Sequence, residues 1–323
     1  MGTTWSQFFP PAPTLTESNL PNQKGKIFVV TGGYSGVGLA LCKILYQAEG
    51  KVYIAGRSEE KATQAIADIK SAYPDSQGEL AFLLLRLDDL ASIKSAVEAY
   101  TAVESRLDVL FNNAGVSNPP LGSTSPQGHE LQLATNCLGP YLFTQLLLPT
   151  LKSTAKHTSP GSVRVVWTAS IVVDVSAAKE GVNLEELLQP NTNPQRNYEN
   201  TKVGNWFLAH DLASGAESHG ILSVVVNPGN LKAPLTRHLS PIVPILAAPL
   251  LYPSRMGALT ALWAGLSSEL ELSDGGKYVL PWGRLHPNPR QDLLQAMQRE
   301  EDGGTGSLYK FIQYCADQTL EYM

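Results

Sequence analysis

Residues 26–38 read Lys-Ile-Phe-Val-Val-Thr-Gly-Gly-Tyr-Ser-Gly-Val-Gly, and the order of residue types in this stretch decides the fold. Ile27, Phe28, Val29 and Val30 make a continuous apolar, mostly β-branched run, the pattern of a strand buried on both faces. The glycines lead directly into a helical pattern over 37–48. Strand, glycine turn and helix in that order put the unpaired N–H groups of a helix N-terminus at a strand end, where they and the helix dipole favour an anion. A side chain at Gly36 would hold a pyrophosphate away from those donors, and Gly38 lets helix and strand pack closely. Gly32, Tyr34, Ser35, Gly36, Val37 and Gly38 are therefore candidate cofactor contacts. The spacing is G-x-x-x-G-x-G rather than G-x-G-x-x-G, so the segment taken alone also fits a plain tight turn.

Outward from this unit the alternation repeats. Strand-like runs at 51–55, 80–85, 107–111, 162–167 and 221–226 follow the one at 26–30, with helical patterns at 37–48, 59–72, 90–105, 130–151 and 198–218 between or after them. Repeated βα units predict a single-domain α/β fold, Rossmann-like, with a doubly wound parallel sheet and helices on both faces. No repeat or linker divides the chain. The expected organisation is an N-terminal tail over 1–23, a catalytic domain over 24–282 and a helical appendage over 283–323. Trp5, Phe8 and Phe9 either clamp the tail to the body or leave it mobile.

Composition narrows the classes. The 323 residues carry 24 Lys+Arg against 29 Asp+Glu, a net charge of −5, which gives no footing for nucleic acid. Hydrophobic residues at 43% and charged ones at 16% exclude a disordered chain. Cys42, Cys137 and Cys315 lie far apart without a C-x-x-C, arguing against disulfides or a thiolate zinc site. The histidines at 129, 157, 210, 219, 238 and 286 show no ligand spacing, so no metal is expected. The first 25 residues lack a basic n-region and an apolar h-region, and the chain has no N-x-S/T sequon, which together predict a cytoplasmic protein. The apolar stretch 241–253 is broken by Pro244 and Pro249 and falls short of the roughly 20 residues that span a bilayer. Its readings are a folded apolar loop and helix start, a substrate lid, or a membrane-surface contact.

Past the second strand run stands Ala55-Gly56-Arg57, about 20 residues beyond the turn, where an NAD site places an acid on the ribose 2′-hydroxyl. Arg57 offers a charged planar fork suited to a 2′-phosphate instead, and points to NADP(H). Asp88 follows the third strand, as an acceptor for the adenine amino group or as an exposed turn carboxylate. Further candidates fall at the ligand-binding edge of such a sheet: Asn112-Asn113-Ala114-Gly115 after the fourth strand, Asn136 in the next helix, Ser170 after the fifth strand, then Tyr198 and Lys202. On a helix, 198 and 202 share one face. A phenol titrates near about 10, and a neighbouring ammonium is expected to bring Tyr198 down toward neutrality as the proton donor in reduction or acceptor in oxidation.

On these residues the chain resembles the short-chain dehydrogenase/reductase family over about 24–280. The long interval between Ser170 and Tyr198 and the wording Gly275-Gly276-Lys277-Tyr278 are similar to its retinol-dehydrogenase-like branch, especially to fungal secondary-metabolism reductases. The resemblance implies that Asn113, Ala114, Gly115, Tyr198 and Lys202 contact the cofactor, with Lys202 on the nicotinamide ribose. It also implies that Ser170 donates to the substrate carbonyl and that Asn136 holds a water linking Lys202 to solvent. Asn227-Pro228-Gly229 matches the family's turn beside the nicotinamide, with Pro228, Gly229 and Leu231 as contacts. The threonine that commonly follows is replaced by Ala233, leaving Thr236 or the Leu231 backbone to substitute.

With 172–197 as one wall and 231–252 as the other, the pocket should be largely apolar and suit a bulky hydrophobic carbonyl compound or alcohol. The function expected is NADP(H)-dependent interconversion of a carbonyl and an alcohol, with reduction the favoured direction. Alternatives are a non-catalytic NADP-binding regulatory or interaction protein on the same fold or, among enzymes, an imine reductase or cyclase. A homodimer is among the assemblies the sequence leaves open.

Overall fold

Successive side chains of the first strand enter two different cores: Phe28 and Val30 join one, Ile27 and Val29 the other, and all four are buried. This is the two-faced burial that an unbroken apolar run demands. The structure, a computed structural model, describes residues 2–232 and 251–323. Its strands are β1 (Ile27–Thr31), β2 (Lys51–Gly56), β3 (Glu79–Leu84), β4 (Val109–Asn112), β5 (Val163–Thr168), β6 (Ile221–Val226), β7 (Leu231–Lys232), β8 (Tyr252–Pro253), β9 (Tyr278–Leu280) and β10 (Arg284–Leu285). Eight of them form one sheet in the order β10-β9-β6-β5-β4-β1-β2-β3, parallel except for the β9–β10 pair, and β7 pairs with β8 beside it. Adjacent β1 and β4 mark the point where the strand order reverses, the place where such sheets bind ligands.

The helices are α1 (Thr3–Phe8), α2 (Gly36–Gln47), α3 (Glu59–Ala72), α4 (Ile93–Thr101), α5 (Leu131–Leu133), α6 (Gly139–Ala155), α7 (Val172–Val175), α8 (Leu184–Leu188), α9 (Pro194–Ala216), α10 (Ser254–Leu266), α11 (Gln291–Ala296) and α12 (Ser307–Thr319). Among the described residues, no helix is long and apolar enough to cross a membrane. Residues 283–323 supply β10 and two helices, of which α12 packs on α9 through an edge-to-face contact of Phe311 with Phe207 at 6.2 Å. The tail is held by polar contacts rather than by its aromatic rings. Trp5 and Phe9 lie against each other 4.5 Å apart and about half exposed, while Arg284 donates to the Ser6 carbonyl at 2.6 Å and the Tyr252 hydroxyl to the Phe8 carbonyl at 3.1 Å. The three cysteines are free and buried. Of the stretch 241–253, residues 241–250 lie outside the described residues, as do Ala233, Thr236 and His238.

Two helical patterns end up divided. The span 90–105 opens as a 3-10 turn at Leu90–Ser92 before α4. The span 130–151 contains α5, a π-turn over Ala134–Leu138 and then α6. Pro140 accounts for the second break: it has no N–H to offer the carbonyl of Asn136 four residues back, so the α-helical ladder cannot run through this point.

One buried cation ties the sheet to a helix end. Arg164 of β5 donates to the carbonyls of Gly161 at 2.7 Å, Ala264 at 3.0 Å and Ser267 at 2.8 Å, capping the C-terminus of α10. Burial lowers its pKa to about 10. Arg164→Met removes these donors from buried acceptors and should cost about 2–4 kcal/mol in urea unfolding; an unchanged midpoint would refute this account of the α10 anchor.

Candidate active site

The sheet edge carries a cleft of about 780 Å³, lined by residues from the ends of β1, β2, β4, β5 and β6 and from the loops beyond them, within the size range of small-molecule sites. At one end is the glycine turn. Ser35 precedes α2 in extended conformation with no side-chain cap, and the first turn of α2 holds no acid, so the helix start meets the cleft with its donors uncommitted to side chains. Gly36 sits at φ +54°, where a side chain is strained. A Cβ at Gly38 would lie 2.6 Å from the Gly32 carbonyl and 2.7 Å from Asn113 Nδ2, so α2 is pressed onto the turn. Thr31 locks that turn to the β4 loop: its hydroxyl accepts from the N–H groups of Asn113 at 3.0 Å and Ala114 at 2.9 Å, and its carbonyl accepts from Asn113 Nδ2 at 2.8 Å. An anion cradle, bare of carboxylate and closed underneath, fits a dinucleotide pyrophosphate.

Arg57 lies beside the turn, more than half exposed, with its guanidinium 3.6 Å from the Asp88 carboxylate. Both line the cleft, as does Lys61 in the first turns of α3. Asp88 thus holds the arginine at the cleft rim. Lys61, in the first turn of α3, supplies a second cation at this end that the sequence reading did not single out.

At the other end Ser170, Tyr198 and Lys202 converge. Lys202 Nζ lies 5.4 Å from the centre of the Tyr198 ring and donates to the Thr168 carbonyl at 2.9 Å, which also accepts from Asn205 Nδ2 at 2.8 Å. The Ser170 side chain sits against the Tyr198 hydroxyl and draws its pKa down, but burial outweighs it and leaves the phenol at about 12. This corrects the expectation that Lys202 would bring Tyr198 toward neutrality. The physical reason is that burial acts on the ammonium as well, lowering Lys202 to about 8, so in the ligand-free site both groups are driven toward their neutral forms.

Asn136 stands behind this pair with its amide fully engaged. Its Oδ1 accepts from the Val116 N–H at 2.8 Å, and its Nδ2 donates to the Val116 carbonyl at 2.9 Å and to Thr201 Oγ1 at 3.0 Å. Those bonds fasten the β4 loop to α9. Pro140 removes the N–H that an α-helical ladder would offer to the Asn136 carbonyl, and the chain passes this point in a π-turn over Ala134–Leu138.

The comparisons agree with this geometry. Residues 26–182 match the family described as short chain dehydrogenase. A "Short-chain dehydrogenase/reductase" of Phomopsis amygdali is 43% identical over 325 residues, covering 99% of this chain and 97% of that protein. The chain belongs to the short-chain dehydrogenase/reductase family. The "Short-chain dehydrogenase/reductase iacJ" of Pestalotiopsis fici is 42% identical over 97% of this chain and 96% of its own. Among solved structures of the same fold is the NADPH-bound carbonyl reductase from chicken fatty liver, with 22% identity, a TM-score of 0.58 and coverage of 79% of this chain and 96% of that one. Another is a 3-ketoacyl-(acyl-carrier-protein) reductase from Brucella melitensis complexed with NADH, at 22% identity, a TM-score of 0.61, and 79% and 96% coverage.

Within the family's fold, the cleft gathers the turn residues Gly32 and Tyr34 to Val37, with Arg57, Asp88, Asn113, Ala114, Gly115, Ser170, Tyr198, Lys202, Pro228, Gly229 and Leu231; Gly38 and Asn136 lie one layer beneath. The expected wall over 172–197 does not line it. Arg290 donates to the carbonyls of Val173, Ala177 and Ala178 at 2.8–3.1 Å, tying the start of that segment to the C-terminal residues, and Arg196 binds Glu186 at 2.9 Å within it. Val116, Pro119, Pro120, Ser123, Leu131 and Thr135 form this side instead. Of the opposing wall, residues 233–250 are outside the described residues.

The lowered Lys202 pKa fixes a sign. The folded state binds this proton less tightly than the unfolded chain, so the penalty is fully present below pH 8 and is relieved as pH rises from about 8 toward the unfolded value near 10.4. Lys202→Met, which leaves the Thr168 carbonyl its Asn205 donor, should raise stability at pH 7 by roughly 1–3 kcal/mol and narrow that gain above pH 8. Thermal unfolding between pH 6 and 10 tests it, and a less stable variant at pH 7 would contradict it.

Proposed function

We propose that this short-chain dehydrogenase/reductase is an NADP(H)-dependent enzyme that reduces a ketone or aldehyde on a bulky, hydrophobic small molecule of fungal secondary metabolism. The observation that carries the reading is a single cleft with an uncapped helix start, Arg57 and Lys61 at one end and the Ser170–Tyr198–Lys202 cluster at the other. Relatives of this fold include structures with NADPH and with NADH, so the choice between them rests on this chain's residues. Arg57, steadied by Asp88, and Lys61 would take the 2′-phosphate; the start of α2 would take the pyrophosphate, and Gly115, Lys202, Pro228, Gly229 and Leu231 would border the nicotinamide riboside. When bound, the reduced cofactor supplies hydride.

The protein's part is to place the carbonyl and deliver a proton. Ser170 donates to the carbonyl oxygen, and Tyr198 gives up its hydroxyl proton to that oxygen as negative charge develops there. The phenol, raised by burial, carries its proton at neutral pH and so would enter the reduction as the acid, while the direction is set by cofactor poise. Lys202, buried beside the phenol, would stand on the path by which that proton is replaced. The Pro119, Pro120 and Leu131 side of the cleft supports an apolar substrate.

NADPH oxidation followed at 340 nm against bulky ketones and aldehydes tests the reaction. Tyr198→Phe should lower turnover by about 10²–10⁴-fold while leaving the NADPH dissociation constant within about threefold; unchanged turnover would reject the acid. Arg57→Ala should weaken NADPH by about 10–100-fold and NADH hardly at all; equal losses in fluorescence titrations would reject the phosphate site.

A further inference from the structure

Gln7 is the one buried residue of α1, 1% exposed, although Trp5 and Phe9 on either side of it in the sequence are about half exposed. A six-residue helix does not hold itself in water, and burying an amide is unfavourable unless both its ends are paired. Here both are: Nε2 donates to Asp174 Oδ2 at 2.7 Å, and Oε1 accepts from Asn227 Nδ2 at 2.8 Å. The two partners belong to the two loops that flank the reaction end of the cleft. Asp174 is in α7, which bonds back to the serine loop through the Val173 N–H and the Ser170 carbonyl at 3.1 Å. Asn227 opens the Pro228-Gly229 turn, and its own Oδ1 accepts from the Gly229 N–H at 3.0 Å, holding Gly229 at φ +89°.

Asp174 is fixed from a second side by His286, whose Nε2 lies 3.2 Å from the same Oδ2. His286 Nδ1 accepts from the Asn288 N–H at 3.2 Å, which assigns the ring proton to Nε2. Anchoring the tail does not require this arrangement: Arg284 and Tyr252 already hold the backbone of Ser6 and Phe8, whatever side chain stands at position 7.

We propose that Gln7 is a positioning residue whose amide bridges the Ser170 loop to the 227–229 turn, making the N-terminal segment a structural part of the active site. The consequence for catalysis rests on the proposed function; the bridge itself does not. Gln7→Met keeps the length and removes both bonds. In the ligand-free full-length protein, hydrogen exchange at Val173 and Gly229 should rise about tenfold with β1 and β5 unchanged. Acceleration confined to residues 3–9 would mean a mere tail anchor and overturn the proposal. In turnover, kcat should fall at least about tenfold while the KM for NADPH stays within about threefold, because the adenosine end is untouched.

Gln7→Glu sets two carboxylates against each other and should lose as much. Adding Asp174→Asn alone would set its amide hydrogens against the His286 Nε2–H, because Gln7 and His286 meet the same Oδ2. Adding His286→Gln as well supplies a carbonyl acceptor there, so the amide at 174 can donate to both neighbours, and exchange and kcat should return to within about threefold of wild type. A folded triple variant that stays impaired would overturn the bridge, including where Gln7→Met does not fold. If exchange responds as expected but Tyr198→Phe retains turnover, the functional reading fails and the bridge stands; flat exchange with Tyr198-dependent turnover fails the bridge alone.

Discussion

The structure depends on keeping a polar helix dry. Over its central turns α9 buries Asn197, Tyr198, Glu199, Asn200, Thr201, Lys202 and Asn205, residues that water would normally solvate, and such burial is tolerated only where partners replace the water. The partners come from all around it: the β5 carbonyl at Thr168, the amide of Asn136, the carboxylate of Glu186 for Asn200, and the Asn191 backbone for Asn197. Phe311 of α12 closes the outer side against Phe207, and Gly204 leaves room for it, since a Cβ there would come within 2.7 Å of the ring. The C-terminal residues therefore matter to the site through packing, although none of them lines the cleft.

What could be read in the sequence follows from how local each signal is. The run 221–226 is β6 residue for residue and 59–72 is α3, because a continuous apolar run and a Ser58-capped amphipathic stretch each carry their whole cause within a few residues. The residues that the cleft brings together, the glycine turn at one end and Ser170, Tyr198 and Lys202 at the other, could be singled out for the same reason, as short motifs at strand ends or on the helix after them. The helix α10 was not, because nine consecutive residues from Gly257 to Gly265 are buried and leave no polar face to mark a period. β9 is three residues long and β10 two, below what pattern reading resolves. Features decided by distant contacts were also hidden: the start of the segment 172–197 is tied to Arg290, more than a hundred residues later, and the acidity of Tyr198 is set by burial that spacing alone does not reveal.

The two ends of the cleft differ in how they handle charge. Around Arg57 and Lys61 the cations are exposed and cheap to keep, so an anionic group can be met by water-accessible side chains. Around Lys202 the cation is enclosed and held at a cost to stability, and perturbed groups of this kind are characteristic of sites that move protons. A single groove thus joins an exposed cationic end to an enclosed one, with the Thr31 hydroxyl tying the end of β1 to the β4 loop in its floor.

The buried cysteines carry a further implication. Burial pushes Cys137 up to about 12 and raises Cys42 and Cys315 as well, and a sulfur that keeps its proton is a poor nucleophile. Quinones, enones and other thiol-seeking electrophiles would therefore meet no activated thiolate on this protein, whose three sulfurs are shielded from alkylation by the cores that enclose them.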